Sequence, residues 1–260
     1  MKPLILLYFF SSALLLVSSS CNLIKNERLV WSDEFEYSGK PDSSKWNYEL
    51  GNGCPKLCGW GNNEEEVYSD QPSNVRVENG RMILEARKSD KGWTSGKITT
   101  QRKMNFTYGR VEFRAKLPDG KGSWPALWML SENITTKGWP ACGEIDIMEH
   151  VGRQPTVVQS AIHTKASFGN TIHKSSTEVD SVHSDFHIYE LIWTKDKLEF
   201  LADRKSYYLF QPAKKNLDTW PFDSPFYIIM NVAMGGGLGG PIDAALTGAK
   251  MEVDYVRVYQ

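Results

Sequence analysis

Apolar and polar residues alternate with a period of two along most of this chain, and that limits its fold more than any other feature. Val111, Phe113, Ala115 and Leu117 alternate with Glu112, Arg114 and Lys116, which describes a strand with one wet face. Arg81–Arg87, Val157–His163, His187–Thr194, Leu198–Ala202, Phe226–Ala233 and Met251–Tyr259 also read as strands. Lys195-Asp196-Lys197 and Asp203-Arg204-Lys205 fit the short turns of hairpins. No stretch carries a sustained helical stripe, so the expected class is all-β: a sandwich or barrel, not a βαβ fold. The 260 residues are 41% hydrophobic and 23% charged with a net charge of −1, a globular balance with no electrostatic footprint for nucleic acid. No repeat or internal linker follows residue 27.

The N-terminus reads as an export signal. Lys2 precedes a mostly apolar run from Leu4 to Val17 that is too short for a transmembrane helix. Ser18-Ser19-Ser20-Cys21 then resembles a bacterial lipobox, with Ser18 where a Leu is usual. The expectation is a signal over 1–20, a lipid on Cys21, a tether over 21–28 and one domain over 29–260. Such a chain would be an exported lipoprotein, at the outer membrane or cell surface or on the periplasmic face. Its only membrane contact would be the anchor.

Cys54, Cys58 and Cys142 remain, so one internal disulfide at most can form. Cys54-Pro-Lys-Leu-Cys58 is the local candidate, and its rival joins one of these two to Cys142. Three thiols without a fourth ligand do not make a zinc site. His183 and His187 are four apart but lie at a strand entrance and not on a helix, so they do not read as a metal pair. The glycine-rich run Gly235–Gly240 lacks the Lys-Ser/Thr of a phosphate loop and reads as a flexible loop.

The chemistry gathers in Gly143-Glu144-Ile145-Asp146-Ile147-Met148-Glu149-His150. Glu144 and Asp146 share one strand face, and Ile145 and Ile147 the other. Strict alternation would bury Glu149 among the isoleucines, at high cost for an unpaired carboxylate. A β-bulge near Met148 returns Glu149 to the face of Glu144 and Asp146. Three acids on one face repel, so at least one holds a proton near neutral pH. Glycoside hydrolysis with retention needs this set: one carboxylate to attack the anomeric carbon and a protonated one to serve the leaving oxygen. Trp124, Trp128 and Trp139 lie just upstream, and aromatics beside paired acids fit a carbohydrate cleft.

The chain resembles glycoside hydrolase family 16, and within it the laminarinase-like bacterial endo-β-glucanases, from about Leu29 to Gln260. Trp31-Ser-Asp-Glu-Phe35, Gly59-Trp-Gly-Asn-Asn-Glu64, Asn74-Val-Arg-Val77, Gly122–Leu130, Gly143–Gly152 and Met251–Tyr259 carry the resemblance. It implies a β-jelly-roll sandwich of two antiparallel sheets with a concave cleft, working as a monomer on a polysaccharide or oligosaccharide. It makes Glu144 the nucleophile, Glu149 the acid/base and Asp146 their assistant, with no cofactor for catalysis. It places Asn62, Glu64, Arg87, Trp124, Trp128 and His163 along the cleft. By alternation alone Trp128 fits core packing as well as substrate contact, and Arg87 faces polar space. A structural calcium on Glu34, the Gly80 backbone and Asp254 is implied too, as oxygen donors suit a hard cation. The implied substrate is β-1,3- or mixed-linkage β-1,3/1,4-glucan. Leu238, where many laminarinases carry Trp, and the Cys-bearing loop leave endo-β-galactosidase action as the alternative.

Overall fold

The computed structural model describes residues 27–260, so the export signal and Cys21 lie outside the described residues. In chain order the first strands are β1 (Leu29–Asp33), β2 (Asn47–Tyr48), β3 (Glu66–Tyr68), β4 (Val75–Glu78), β5 (Arg81–Ser89) and β6 (Gly92–Ser95). Then come β7 (Lys97–Thr99), β8 (Gly109–Lys116), β9 (Ser123–Ser131), β10 (Glu144–His150), β11 (Val157–His163) and β12 (Lys174–Glu178). The last are β13 (His187–Trp193), β14 (Leu198–Ala202), β15 (Lys205–Phe210), β16 (Phe226–Met234) and β17 (Gly248–Tyr259). Two single-turn helices, α1 (Ile134–Lys137) and α2 (Gly236–Gly239), and one 3₁₀ turn at Cys58–Gly61 complete the described elements.

The strands form two sheets. The larger runs β15-β14-β13-β8-β17-β5-β6-β3, with β1 on β17 and β4 on β5; the smaller runs β12-β11-β10-β9-β16-β7-β2. Consecutive strands pair in β13-β14-β15, β4-β5-β6 and β9-β10-β11-β12, while β8 with β17, β5 with β17 and β9 with β16 join strands far apart in sequence, as in a jelly roll. The pairing is antiparallel except for β3 on β6, which is parallel and departs from the fully antiparallel expectation. The loop 49–65 that leads into β3 touches the glycine-rich run, where the Asn62 carbonyl accepts from Gly237 and Glu64 bridges to Gly235.

The alternation sorts the side chains. On β9, Leu127 and Met129 enter the core, and on β16 so do Phe226, Ile228, Met230, Val232 and Met234. They meet Val111, Phe113, Tyr189, Leu191 and Trp193 from the larger sheet, all fully or nearly fully buried. Each large apolar side chain buried this way contributes about 1.5–3 kcal/mol before the entropy cost of ordering it. The opposite faces of β9, β10, β11, β16 and β7 are then free to form a polar cleft floor.

Cys54 and Cys58 are joined by a disulfide, and Cys142 is free and buried. The glycine-rich run is pinned, contrary to the flexible loop expected of its composition. Gly235 and Gly237 donate their N–H groups to the carbonyls of Gly122 and Asn62, and Arg153 grips the carbonyls of Leu238 and Gly239. Glycine permits the tight path there, and tertiary contacts hold it.

Candidate active site

The site is built on β10 by the expected bulge. Asp146 pairs with Trp128 and Ala161 on either side, and the register then shifts before Glu149 pairs with Ala126 and Gln159. Ile147 and Met148 both enter the core, so Glu149 comes back to the face of Glu144 and Asp146. The Ser160 hydroxyl donates to the Ile147 carbonyl at 2.7 Å, supplying a partner where the register slips. Just before the strand, Gly143 has φ +86° and no room for a side chain: a Cβ there would lie 2.7 Å from Pro221 Cγ. This glycine sets the angle at which Glu144 enters the cleft floor.

Neighbouring strands equip each carboxylate differently. The Trp124 indole donates to Glu149 Oε1 (2.9 Å) and the Gln159 amide to Oε2 (3.1 Å). His163 pairs with Glu144 across the ladder. The Gly169 N–H donates to His163 Nδ1 (3.1 Å), so Nδ1 is the accepting nitrogen and Nε2 carries the hydrogen. Nε2 lies 3.1 Å from Asp146 Oδ2 and 3.7 Å from Glu144 Oε1. Beside this group Trp139 is 46% exposed, its ring centroid 6.0 Å from that of His163, and the half-exposed Phe168 meets Trp139 edge-on.

All three acids are held above the ordinary carboxylate range, and burial is the largest cause for each. For Glu144 the Asp146 charge adds to the upward push, while His163 and Lys97 oppose it. Glu149 is pushed up to about 7 by burial and by Asp146, against the donors Gln159 and Trp124. Burial alone raises Asp146. The three buried acids repel one another and share protons as a group, and Glu144 is the one with a lysine ammonium among its counter-charges. Glu149, pushed up to about 7, gains and loses its proton around neutrality, as a group that serves first as acid and then as base requires. Glu144, Asp146 and His163 are also the one group among the described residues that brings three metal-ligating atoms within 4.8 Å of one another. Donors from Trp124 and Gln159 on the adjoining Glu149 fit proton transfer.

A second cluster continues the cleft floor. Asn62 Nδ2 donates to Glu64 Oε1 (2.9 Å), and the Tyr68 hydroxyl donates to Glu64 Oε2 (3.3 Å). Asn231 links Tyr68 to Trp128: its amide donates to the Tyr68 oxygen (2.9 Å), and its carbonyl accepts from the Trp128 indole (2.8 Å). Trp128 thus stands on the cleft face beside Asp146, which decides between the two readings of its alternation. The buried Lys97 Nζ sits 3.8 Å from the Trp60 ring centroid and 5.2 Å from that of Trp128, and pairs with Glu49 at 2.7 Å.

One expected assignment is corrected, and a second is left without support. Arg87 is not in the cleft. On β5 the core takes Met82, Leu84 and Ala86, so Arg87 projects with Glu85 from the outer face of the other sheet and pairs with it at 2.8 Å. The alternation correctly sent Arg87 to polar space, but on the far side of the sandwich. The calcium set is also changed. Both oxygens of Glu34 accept from Arg257 (3.0 and 2.8 Å), and Asp254 accepts from Arg114 (2.6 Å). With arginines as counter-ions these two acids do not fit a cation site as arranged, whatever the Gly80 backbone offers.

Sequence reasoning missed Gln159, Lys97, Asn231, Tyr68 and Trp60. Gln159 had a signal, since it lies on the same strand face as Ala161 and His163. Lys97 had none: one lysine in a three-residue strand says nothing of the rings around it.

A jelly roll that mounts a bulged strand of three acids on one sheet face, among tryptophans, belongs to the class of retaining glycosidases. Residues 62–257 match the family described as glycosyl hydrolases family 16, and the chain belongs to that family. It is 42% identical over 95% of its length to a β-glucanase of Rhodothermus marinus, covering 93% of that protein. The laminarinase of Flavobacterium sp. UMI-01 superposes with a TM-score of 0.86 at 48% identity, over 90% of this chain and all of that one. A non-specific endo-β-1,3(4)-glucanase with 1,3-β-D-cellobiosyl-glucose at its active site gives a TM-score of 0.83 at 46% identity, over 91% of this chain and 95% of that one.

Proposed function

We propose that this protein is a retaining endo-β-glucanase that hydrolyses β-1,3- or mixed-linkage β-1,3/1,4-glucan by double displacement. The observation that carries this reading is the β10 bulge, which puts Glu149 on one face with Glu144 and Asp146. Glu144 attacks the anomeric carbon while protonated Glu149 gives its proton to the departing glycosidic oxygen. This leaves a glucosyl ester on Glu144 and a carboxylate on Glu149. That carboxylate takes a proton from water, the hydroxide displaces Glu144, and both acids return to their starting states. Asp146, with His163 Nε2 at 3.1 Å, adjusts the charge on Glu144 as the ester forms and breaks. Trp124, Trp128, Trp139 and Phe168 offer ring faces and edges to glucosyl rings, and Asn62 and Glu64 offer polar contacts to hydroxyls. The relatives named for glucan cleavage support the substrate class.

The testing experiment is proton NMR of laminarin hydrolysis in its first minutes. Two successive inversions release β reducing ends first, and an initial α anomer would remove Glu144 from the nucleophile role. Glycan panels that include agarose, keratan-type and mucin glycans test the linkage. Release from these alone, with none from glucans, would replace the glucanase reading by endo-β-galactosidase action.

We also propose export as a lipoprotein through Cys21, and action as a monomer at the cell surface. Palmitate-analogue labelling of the wild type and not of Cys21→Ala is the expected result. Calcium is left out of this reading, because Arg257 and Arg114 already neutralise Glu34 and Asp254.

A further inference from the structure

His150 follows Glu149 on β10, but its side chain is turned away from the cleft and is 1% exposed. Its Nδ1 lies 2.8 Å from the Val157 carbonyl. A carbonyl only accepts, so Nδ1 carries the hydrogen and Nε2 is left with a free lone pair. That Nε2 is buried and has no hydrogen-bond partner. A backbone carbonyl that fixes one ring nitrogen while the other stays bare is the arrangement that orients histidine ligands in metal sites.

The ring facing it is His183, which enters from the turn before β13, 33 positions away. Both of its ring nitrogens are also buried without a hydrogen-bond partner. The two ring centroids are 5.2 Å apart with planes at 62°. With Zn–N of about 2.0–2.1 Å, each imidazole centroid lies about 3.2 Å from the metal, and tetrahedral geometry puts two such centroids about 5.2 Å apart. The pair therefore already has the spacing of two imidazoles on one tetrahedral ion.

Asp119 supplies the third donor. Its Oδ1 is 3.8 Å from His183 Nε2 and accepts the Gly120 N–H at 2.7 Å, and its side chain is 79% exposed. This trio is not among the sets whose ligand atoms all lie within 4.8 Å. Asp119 must rotate inward to complete it, which its exposure allows.

We propose that His150, His183 and Asp119 form a site for a borderline transition-metal ion of the Zn²⁺ class, with water in the fourth position. Two imidazoles and one carboxylate suit zinc, cobalt or copper and are a poor match for calcium. The site ties the end of β10 to the turn before β13, on the other face of the strand from Glu149. An ion there braces the strand that holds the acid/base without meeting substrate.

The test is isothermal titration of the untagged full chain with Zn²⁺, together with the visible spectrum of the Co²⁺ form. One equivalent should bind with micromolar affinity and raise Tm, and Co²⁺ should show the intense band of a tetrahedral N/O site. His183→Ala should weaken binding at least about tenfold, and Asp119→Asn, which alters only an exposed side chain, by about three- to tenfold. Both variants should keep wild-type laminarin hydrolysis in chelator. His163→Ala controls for capture by Glu144, Asp146 and His163, and should leave the affinity within about twofold. Loss of binding in His163→Ala but not in His183→Ala would overturn the proposal. So would a dissociation constant above about 100 µM for the wild type, which would leave a water between the rings as their partner.

Discussion

Replacing Gln159 by leucine isolates one of the two donors that hold charge on Glu149. The Gln159 amide lies 3.1 Å from Glu149 Oε2 and opposes the burial that pushes this acid up to about 7. A hydrogen bond to a charged group is worth about 1.5–3 kcal/mol, and one pKa unit corresponds to about 1.4 kcal/mol. Losing it therefore raises Glu149 by about one to two units, because the donor favours only the ionised form. Trp124 still donates to Oε1, so the acid stays in place. The pH profile of kcat/KM reports free-enzyme pKa values, and its basic limb reports the acid that must be protonated. That limb should move up by about one to two units in Gln159→Leu, and the acidic limb, a macroscopic value of the coupled acids, should move less. Laminarin hydrolysis followed by reducing ends from pH 4 to pH 10 measures both limbs. A basic limb that stays still or moves down would refute the argument, since Glu149 would then not be the group that loses its proton there.

Three further outcomes are expected. Glu144→Gln should abolish turnover and raise Tm at pH 8 by about 2–4 °C, about 1 kcal/mol for a domain of this size. Glu144 is raised from 4.5 to about 8, so the folded state keeps a proton that the unfolded state releases, and stability falls as pH rises between those values. The gain should thus shrink towards pH 5, and calorimetry showing equal gains at both pH values would contradict this origin. Gly143→Ala should cost about 2–3 kcal/mol in denaturant titrations, since the new Cβ meets Pro221 Cγ at 2.7 Å with φ at +86°, and should lower kcat by tilting Glu144. A variant as stable and active as the wild type would show that the strand entrance gives way easily. Millimolar calcium should leave Tm unchanged, because it would have to displace Arg257 from both oxygens of Glu34; a rise of several degrees would restore the cation site.

By itself the sequence determined the all-β class and most of the strands, because period two is a local property that each strand displays without its neighbours. It also determined the catalytic strand. A carboxylate in the core is so costly that the Glu144–His150 pattern required a bulge, and the register slips where that cost demanded it. The sequence left two pairings open for Cys54 and Cys58, and the structure forms the local one. Only the tertiary structure decided which side of which sheet a polar residue serves. Arg87 and His163 both lie on wet strand faces, yet one pairs with Glu85 on the outer face and the other touches two of the acids. Alternation gives the parity of a side chain but not the sheet its strand joins, and that choice rests on pairings such as β5 with β17 and β10 with β11. Lys97 among its rings and His150 against His183 are contacts between elements far apart in sequence. Each is created when the sheets close over the core, where burial turns an ordinary polar side chain into a strong electrostatic partner.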